Sequence, residues 1–285
     1  MRGKSIVGYI EERLENGGIE LPVFDRVAIE LQEMIAKDDF SAKDMARIIQ
    51  RDQALTSQAL KMANSSFYYG LHPVSTISDA IVRLGVKSIV NMVMVVTQKK
   101  SYYSLKPSYK RWSNPLWIHS LTVAVASKWL ANNLGLNSLA EESFLAGLLH
   151  DIGKLLLLKI IEELQDSDPD EWDLSDSVID DILESLHCER GEQLMRQSNM
   201  PELYCQVVLS HDSSEVSGNN PAINIVRLAN LTCHKLGIGL KYNDEIMLSA
   251  TSEAISLMAS DLLLAELQVE LEGYQKNMEN MLGLA

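Results

Sequence analysis

Six side chains in this sequence have the types and spacing to do chemistry together: His119, the adjacent pair His150-Asp151, Lys154, His187 and His211. Imidazole nitrogen and carboxylate oxygen suit Zn, Fe, Mn or Ni better than a soft thiolate metal. Adjacent His and Asp side chains point apart along a regular helix. His150-Asp151 follows the apolar run Phe144–Leu149 and precedes Ile152-Gly153-Lys154. At a helix end, with Gly153 close by, both can turn toward one ion. His119 stands among Leu116, Trp117, Ile118, Leu121 and Val123. One histidine on such an apolar stretch is ordinarily a hydrogen-bonded core residue. The combination carries the metal reading, with less specificity than a zinc-finger pattern. Cys188 stands beside His187, but neighbouring side chains diverge on a helix, and the ligand set excludes it.

The elements that must position these side chains read as helices nearly throughout. Val27, Leu31, Met34 and Ile35 share one helical face. Ser41 followed by Asp44 marks a capped start, and Asp52 can cap the next helix, which carries Leu55, Ala59 and Met62. Asn114-Pro115 and Asn220-Pro221 each read as an N-cap followed by proline at the first helical position. Ser138 and Glu141 form a capping box, while Gly135 and Gly237 suit C-terminal caps. No two alternating segments are joined by a hairpin signal, so the expected fold is all-α. The polar stretch Lys99–Asn114 and the acidic, proline-containing stretch Asp166–Asp176 read as junctions. The first suggests an N-terminal helical half over 1–105 and a second half over 106–285.

The 285 residues carry 25 Lys+Arg against 39 Asp+Glu, a net charge of −14. That balance excludes nucleic-acid binding driven by bulk charge, which needs cations to neutralise phosphates. With 46% hydrophobic residues the chain can bury a core without metal or disulfide staples. The three cysteines form no CxxC pair, consistent with reduced thiols. The N-terminus lacks a signal-peptide core, and the best apolar runs, Ile89–Val96 and Leu155–Ile161, fall short of the roughly 20 residues a bilayer span needs. A cytoplasmic location without membrane attachment is expected. Between Ile160 and Glu189 there are twelve carboxylates and no Lys or Arg, a solvated acidic face or a guard against anionic partners. Lys99, Lys100, Lys106, Lys110 and Arg111 interleave with Tyr102, Tyr103 and Tyr109. The segment reads as a solvated loop with packed tyrosines, or as a track for a nucleotide or single strand. Asn64–Gly70 reads as a helix-ending turn with three aromatics. Leu267, Leu271, Tyr274, Met278, Met281 and Leu282 give the C-terminus an apolar helical face for core packing or for pairing in a homodimer.

Several blocks resemble the HDOD domain, a divergent relative of the HD-domain metal-dependent phosphohydrolases. They are LPVFDRVAIELQEMI from Leu21, AKDMARIIQRDQALTSQALKMANSSFYYG from Ala42, VSTISDAIVRLGVKSIVNMV from Val74, HDIGKLLL from His150 and HCERGEQLM from His187. The resemblance spans Leu21–Asp212, about two thirds of the chain, and is most specific at its N-terminal end. It implies an HD-domain-like multi-helix bundle with metal ligands His119, His150, Asp151, His187 and His211. Lys154 falls where related enzymes place a phosphate-contacting lysine. Two positions depart from the pattern: His211-Asp212 replaces a histidine pair, and Asn230 stands at the distal aspartate. A neutral amide holds a dication less well than a carboxylate, so the implied transition metal (Fe, Ni, Zn or Mn) is expected to be weakly held. The resemblance implies a signal-transduction or regulatory module acting through a signalling protein partner or a nucleotide or phosphate ligand. Its alternative is phosphoester hydrolysis. No GYP motif is present, and no receiver, GGDEF, EAL or DNA-binding segment is readable, so a stand-alone module is expected.

Overall fold

The computed structural model describes residues 5–15, 24–37, 41–65, 73–169, 172–213 and 220–281, with side chains of the last helix described to Tyr274. Helices α1 (Ile6–Glu15), α2 (Arg26–Lys37), α3 (Ala42–Ile49), α4 (Gln53–Ala63), α5 (Ile77–Leu84) and α6 (Val86–Tyr103) build the N-terminal part. The rest comprises α7 (Lys110–Asn133), α8 (Ala140–Leu149), α9 (Ile152–Ser167), α10 (Asp176–Gln197), α11 (Glu202–Ser210), α12 (Pro221–Lys235), α13 (Ser252–Ser256) and α14 (Asp261–Met281). No strand occurs among the described residues, as the periodicity predicts. No helix there is long and apolar enough to cross a membrane.

Local chemistry sets most boundaries. Ser41 accepts from the Asp44 amide, Asp52 from Leu55, and Asn220 from Ala222 with Pro221 next in line. Each satisfies an amide that the first helical turn leaves without a partner. Gly135 and Gly237 take positive φ after α7 and α12, as C-terminal caps require. Two expected starts are corrected. The helix expected from Asn114-Pro115 begins at Lys110 and carries Pro115 inside it. A proline this near an N-terminus deprives few carbonyls of a donor. Ser138 lies in a 3-10 turn and caps nothing, because α8 begins at Ala140. Glu141 instead accepts from Ser88 (2.8 Å), Asn91 (2.8 Å) and Lys128 (2.6 Å), tying α6 and α7 to α8.

The junction expected over Lys99–Asn114 contracts to 104–109, since burial of Ser101 and Tyr102 against the core extends α6 to Tyr103. In the acidic stretch beginning at Asp166, the described residues between Ser167 and Asp176 are non-helical. Its carboxylates do not merely face solvent. Lys106 pairs with Asp166 and Arg111 with Asp176, and the Lys106 amide donates to Glu162 at 2.6 Å. The basic-aromatic segment is thus held by the chain's own acidic face, with Tyr102 and Tyr109 buried. The aromatic turn expected at Asn64–Gly70 lies mostly outside the described residues; Asn64 itself brackets Val74 with two hydrogen bonds. Leu267 and Leu271 bury α14 against α7, while Met278, Met281 and Leu282 lie outside the described side chains.

Helices α7 to α11 position the six side chains. Helix α7 packs on α8 and α12, and α10 packs on α9 and α11. Where α9 meets α10, a Cβ built on Gly153 would stand 1.9 Å from the His187 carbonyl oxygen and 3.0 Å from the Gly191 Cα. Only paired glycines let two backbones approach this closely. That crossing brings His187 down onto the start of α9.

Candidate metal centre

Each histidine of the set is oriented by a backbone carbonyl. His119 Nδ1 donates to Ile238 O at 2.8 Å, His150 Nδ1 to Gly147 O at 2.7 Å, His187 Nδ1 to Glu184 O at 3.1 Å, and His211 Nδ1 to Val208 O at 2.9 Å. A carbonyl can only accept, so each Nδ1 carries the proton and each neutral ring presents its lone pair at Nε2. The last three carbonyls lie three residues before their histidine, at the frayed end of α8, along α10, and at the end of α11. The Nε2 atoms converge. His119 and His150 bring theirs to 3.1 Å, and His187 and His211 to 3.3 Å. Two lone pairs at that distance repel unless a cation or a proton lies between them.

Asp151 stands between the two histidine pairs. Its Oδ2 lies 3.7 Å from His119 Nε2 and 3.6 Å from His150 Nε2. Its Oδ1 lies 3.1 Å from His211 Nε2 and 3.6 Å from His187 Nε2. Lys154 donates to Oδ2 at 2.8 Å. All six of these side chains are buried. The structure therefore gathers the whole set that the sequence singled out, as two adjacent positions sharing one carboxylate.

Three further residues join them. Asp212 places Oδ2 3.5 Å from His187 Nε2, so the replacement of a second histidine returns a carboxylate to the centre. Cys188, left out of the ligand set above because neighbouring side chains diverge on a helix, nevertheless places Sγ 3.3 Å from His187 Nε2, because His187 turns back along α10 toward Glu184. His234 stacks on His119 with ring centroids 5.4 Å apart. Nothing in the sequence around His234 marks it. The Asp212 signal was present in the His-Asp repeat of His150-Asp151 and His211-Asp212. Asn230 donates to Asp212 at 3.1 Å, while its own Oδ1 is buried and has no hydrogen-bond partner among the described residues.

The electrostatics divide the two positions. Burial pulls His119 and His150 below the ordinary imidazole value, keeping their lone pairs free. Burial also opposes charge on His211, but the Asp151 hydrogen bond outweighs it and the pKa rises to about 10. His187 is raised despite burial, chiefly through Asp212. Burial disfavours the Cys188 thiolate, yet hydrogen bonds with His187 and His211 bring the thiol down to about 6. Asp151 is held well below the carboxylate range against burial by Lys154 and the histidines. The donor chemistry fits divalent transition metals: imidazoles that each offer Nε2 once it is deprotonated, two carboxylates and an amide oxygen with no hydrogen-bond partner among the described residues.

Beside the centre opens a cleft of about 460 Å³, lined by Arg111, Trp112, Lys154, Lys241 and the carboxylates of Asp180 and Glu184 among others. Lys241 bridges Glu184 (2.7 Å) and Asp212 (2.9 Å).

Similar folds occur in solved structures. An HDOD domain protein of unknown function from Geobacter sulfurreducens is 23% identical, with a TM-score of 0.73 over 96% of this chain and 97% of that one. A Shewanella amazonensis protein, provisionally named a metal-dependent phosphohydrolase, is 19% identical with a TM-score of 0.68 over 92% and 96%. A Marinobacter aquaeolei protein, provisionally named for signal transduction, is 20% identical with a TM-score of 0.66 over 100% of this chain and 61% of that one. An uncharacterized Treponema pallidum protein is 25% identical over 219 residues, 75% of this chain, which spans 42% of that relative's length. The family model of the HDOD domain matches residues 21–214.

Proposed function

The chain belongs to the HDOD domain family, and on that premise we propose that it is a signal-transduction module whose second half holds a divalent transition metal and, over it, a phosphorylated small ligand. The observation that carries this reading is the convergence of four Nε2 lone pairs, each fixed by a carbonyl behind its ring. His119, His150 and Asp151 would hold the cation at one position; His187, His211, Asp151 and Asp212 would hold it at the other. A divalent metal there supplies Lewis acidity toward a phosphoryl oxygen. The chain's own residues do the rest. Lys154 and Lys241 bring positive charge to the wall of the cleft, where an anionic ligand meets them. Trp112, held by its indole N–H to Asp180 at 2.6 Å, gives the same wall a rigid aromatic edge. A change in ligand occupancy would reach a signalling protein partner through the surrounding helices.

Elemental analysis of purified wild type and His150→Ala tests the reading. The wild type should carry Fe, Ni, Zn or Mn, or take it up when supplied, and His150→Ala should lose the share held with His119 and Asp151. A wild type that stays metal-free after loading overturns the proposal. Phosphoesters, nucleotides and cyclic dinucleotides should bind but turn over only at background rates, because Asn230 brings an amide where a carboxylate would strengthen the centre.

A second reading, phosphoester hydrolysis, is favoured by Asp151, whose two oxygens face the two histidine pairs separately. Lys154 would then stabilise charge developing on phosphoryl oxygens. Reproducible turnover that His150→Ala abolishes, and that Asn230→Asp raises, would replace the first reading with this one.

A further inference from the structure

The two metal positions differ in donor chemistry, and we propose that Cys188 completes the second as a thiolate ligand, making it selective for a thiophilic divalent cation such as Zn(II) or Co(II). The inference rests on the reading of the four histidines as metal ligands. His187, Cys188 and His211 each offer a donor atom within 4.8 Å of the others. Sγ lies 3.3 Å from His187 Nε2, His187 Nε2 lies 3.3 Å from His211 Nε2, and Asp212 Oδ2 lies 3.5 Å from His187 Nε2. A tetrahedral ion at about 2.05 Å from nitrogen and about 2.3 Å from sulfur separates its ligand atoms by about 3.3–3.6 Å. The three separations, all from His187 Nε2, fall in that range, while Sγ lies 4.0 Å from His211 Nδ1 and His211 Nε2 lies 3.9 Å from Asp212 Oδ1.

Two independent observations point the same way. Both Nδ1 atoms are spent on carbonyls, so the two Nε2 atoms are left to face one another at 3.3 Å, with the sulfur 3.3 Å from that of His187. Asn230 Oδ1, buried behind Asp212, has no hydrogen-bond partner among the described residues. The first position, made by His119, His150 and Asp151, has only nitrogen and oxygen donors. Thiolate favours Zn(II), Fe(II) and Co(II) over Mn(II) and Mg(II), whereas a nitrogen and oxygen set discriminates less. On coordination the thiol gives up its proton to solvent, and the sulfur lone pair forms the bond to the cation.

Cobalt substitution of the whole 285-residue chain, stripped by chelation, reads the sulfur directly. Elemental analysis should find two cobalt ions per chain, with a sulfur-to-cobalt charge-transfer band in the near ultraviolet. Cys188→Ser and Cys188→Ala should both remove the band and weaken the second cobalt at least about tenfold, leaving the first in place. His150→Ala should weaken the first cobalt and keep the band. Zn(II) should bleach the band, and the same excess of Mn(II) should not. Two bound cobalt ions without a band, or a band that survives in Cys188→Ala, would overturn the thiolate assignment while leaving the metal centre standing. No cobalt uptake at all would overturn both.

Discussion

At the scale of single residues, the four histidines show how a buried polar group is made ready for a ligand. Each ring spends its proton on a main-chain carbonyl, so only Nε2 is left to act. Without a cation, His211 keeps a proton up to about pH 10, as its neighbouring carboxylates require. An imidazolium has no lone pair to give, so a metal must displace that proton. Metal affinity should therefore rise with pH, by about tenfold per pH unit for each proton displaced. Calorimetry in two buffers of different ionisation enthalpy checks this, and an affinity flat between about pH 6 and about pH 8 would refute it. Asn230→Asp makes a second residue-scale case with opposite signs in its two states. A new carboxylate beside Asp212 and Asp151 should destabilise the chelated protein by about 1–3 kcal/mol. The same charge should strengthen metal binding by about 10–100-fold. Thermal melts with chelator and with metal read both effects; melting temperatures shifted the same way in both would count against Asn230 lying at the centre.

At the scale of elements, two contacts fix where the candidate ligands stand. The α9–α10 crossing has room for hydrogens only at Gly153 and Gly191. Gly153→Ala must push its methyl against the His187 carbonyl, which is backbone and cannot swing away. The expected cost is about 1–3 kcal/mol of stability, with a matching loss of metal affinity as His187 moves off Asp151. The turn after α11 is clamped from behind by buried Arg227. Its guanidinium donates to Ser210 O at 2.9 Å, to Ser213 O at 2.6 Å and to Glu253 at 2.7 Å. The turn between those carbonyls carries His211 and Asp212. A lysine cannot reproduce the planar fork, and disrupting a buried pair costs about 3–5 kcal/mol. Arg227→Lys should lower the melting temperature of the chelated protein and, beyond that, weaken metal binding measured at a temperature where the variant is fully folded. Wild-type metal affinity in that folded variant would make Arg227 a brace for the bundle alone.

At the scale of the whole molecule, the candidate metal centre sits inside a bundle that does not depend on it for its core. Trp117, Phe144 and Leu155–Leu158 share one apolar core with Leu31, Met45, Ile49 and Ile77, and these last four stand far along the chain from any candidate ligand. Hydrophobic burial of this extent supplies the folding free energy. Chelation should therefore leave the far-ultraviolet circular dichroism unchanged and lower the melting temperature. For a cation at one hundred times its dissociation constant the stabilisation is about 2.7 kcal/mol. Loss of helical signal on chelation would instead make the metal structural.

The sequence by itself determined the all-helical class, because period-3.6 apolar faces and polar caps are local properties: Ser41, Asp52 and Asn220 cap the helices their spacing announces. It also carried the ligand candidates, since His150-Asp151 and the isolated histidines stand out by residue type. Local signals misled where a distant partner competed for the same group. Glu141 left a capping box to bind Ser88, Asn91 and Lys128, and Pro115 sits within a helix that starts earlier. Only the tertiary structure decided which atoms face one another. The approach of Nε2 atoms across 31 residues between His119 and His150, and across 24 between His187 and His211, follows from helix crossings that no short window encodes. Cys188 shows the reason most plainly. Helical spacing directs it away from His187, but a ring turned back onto the Glu184 carbonyl places Nε2 at 3.3 Å from its sulfur. Even there the carbonyl is local to α10; only packing decides that His211, Asp151 and Asp212, from other segments, meet the same Nε2.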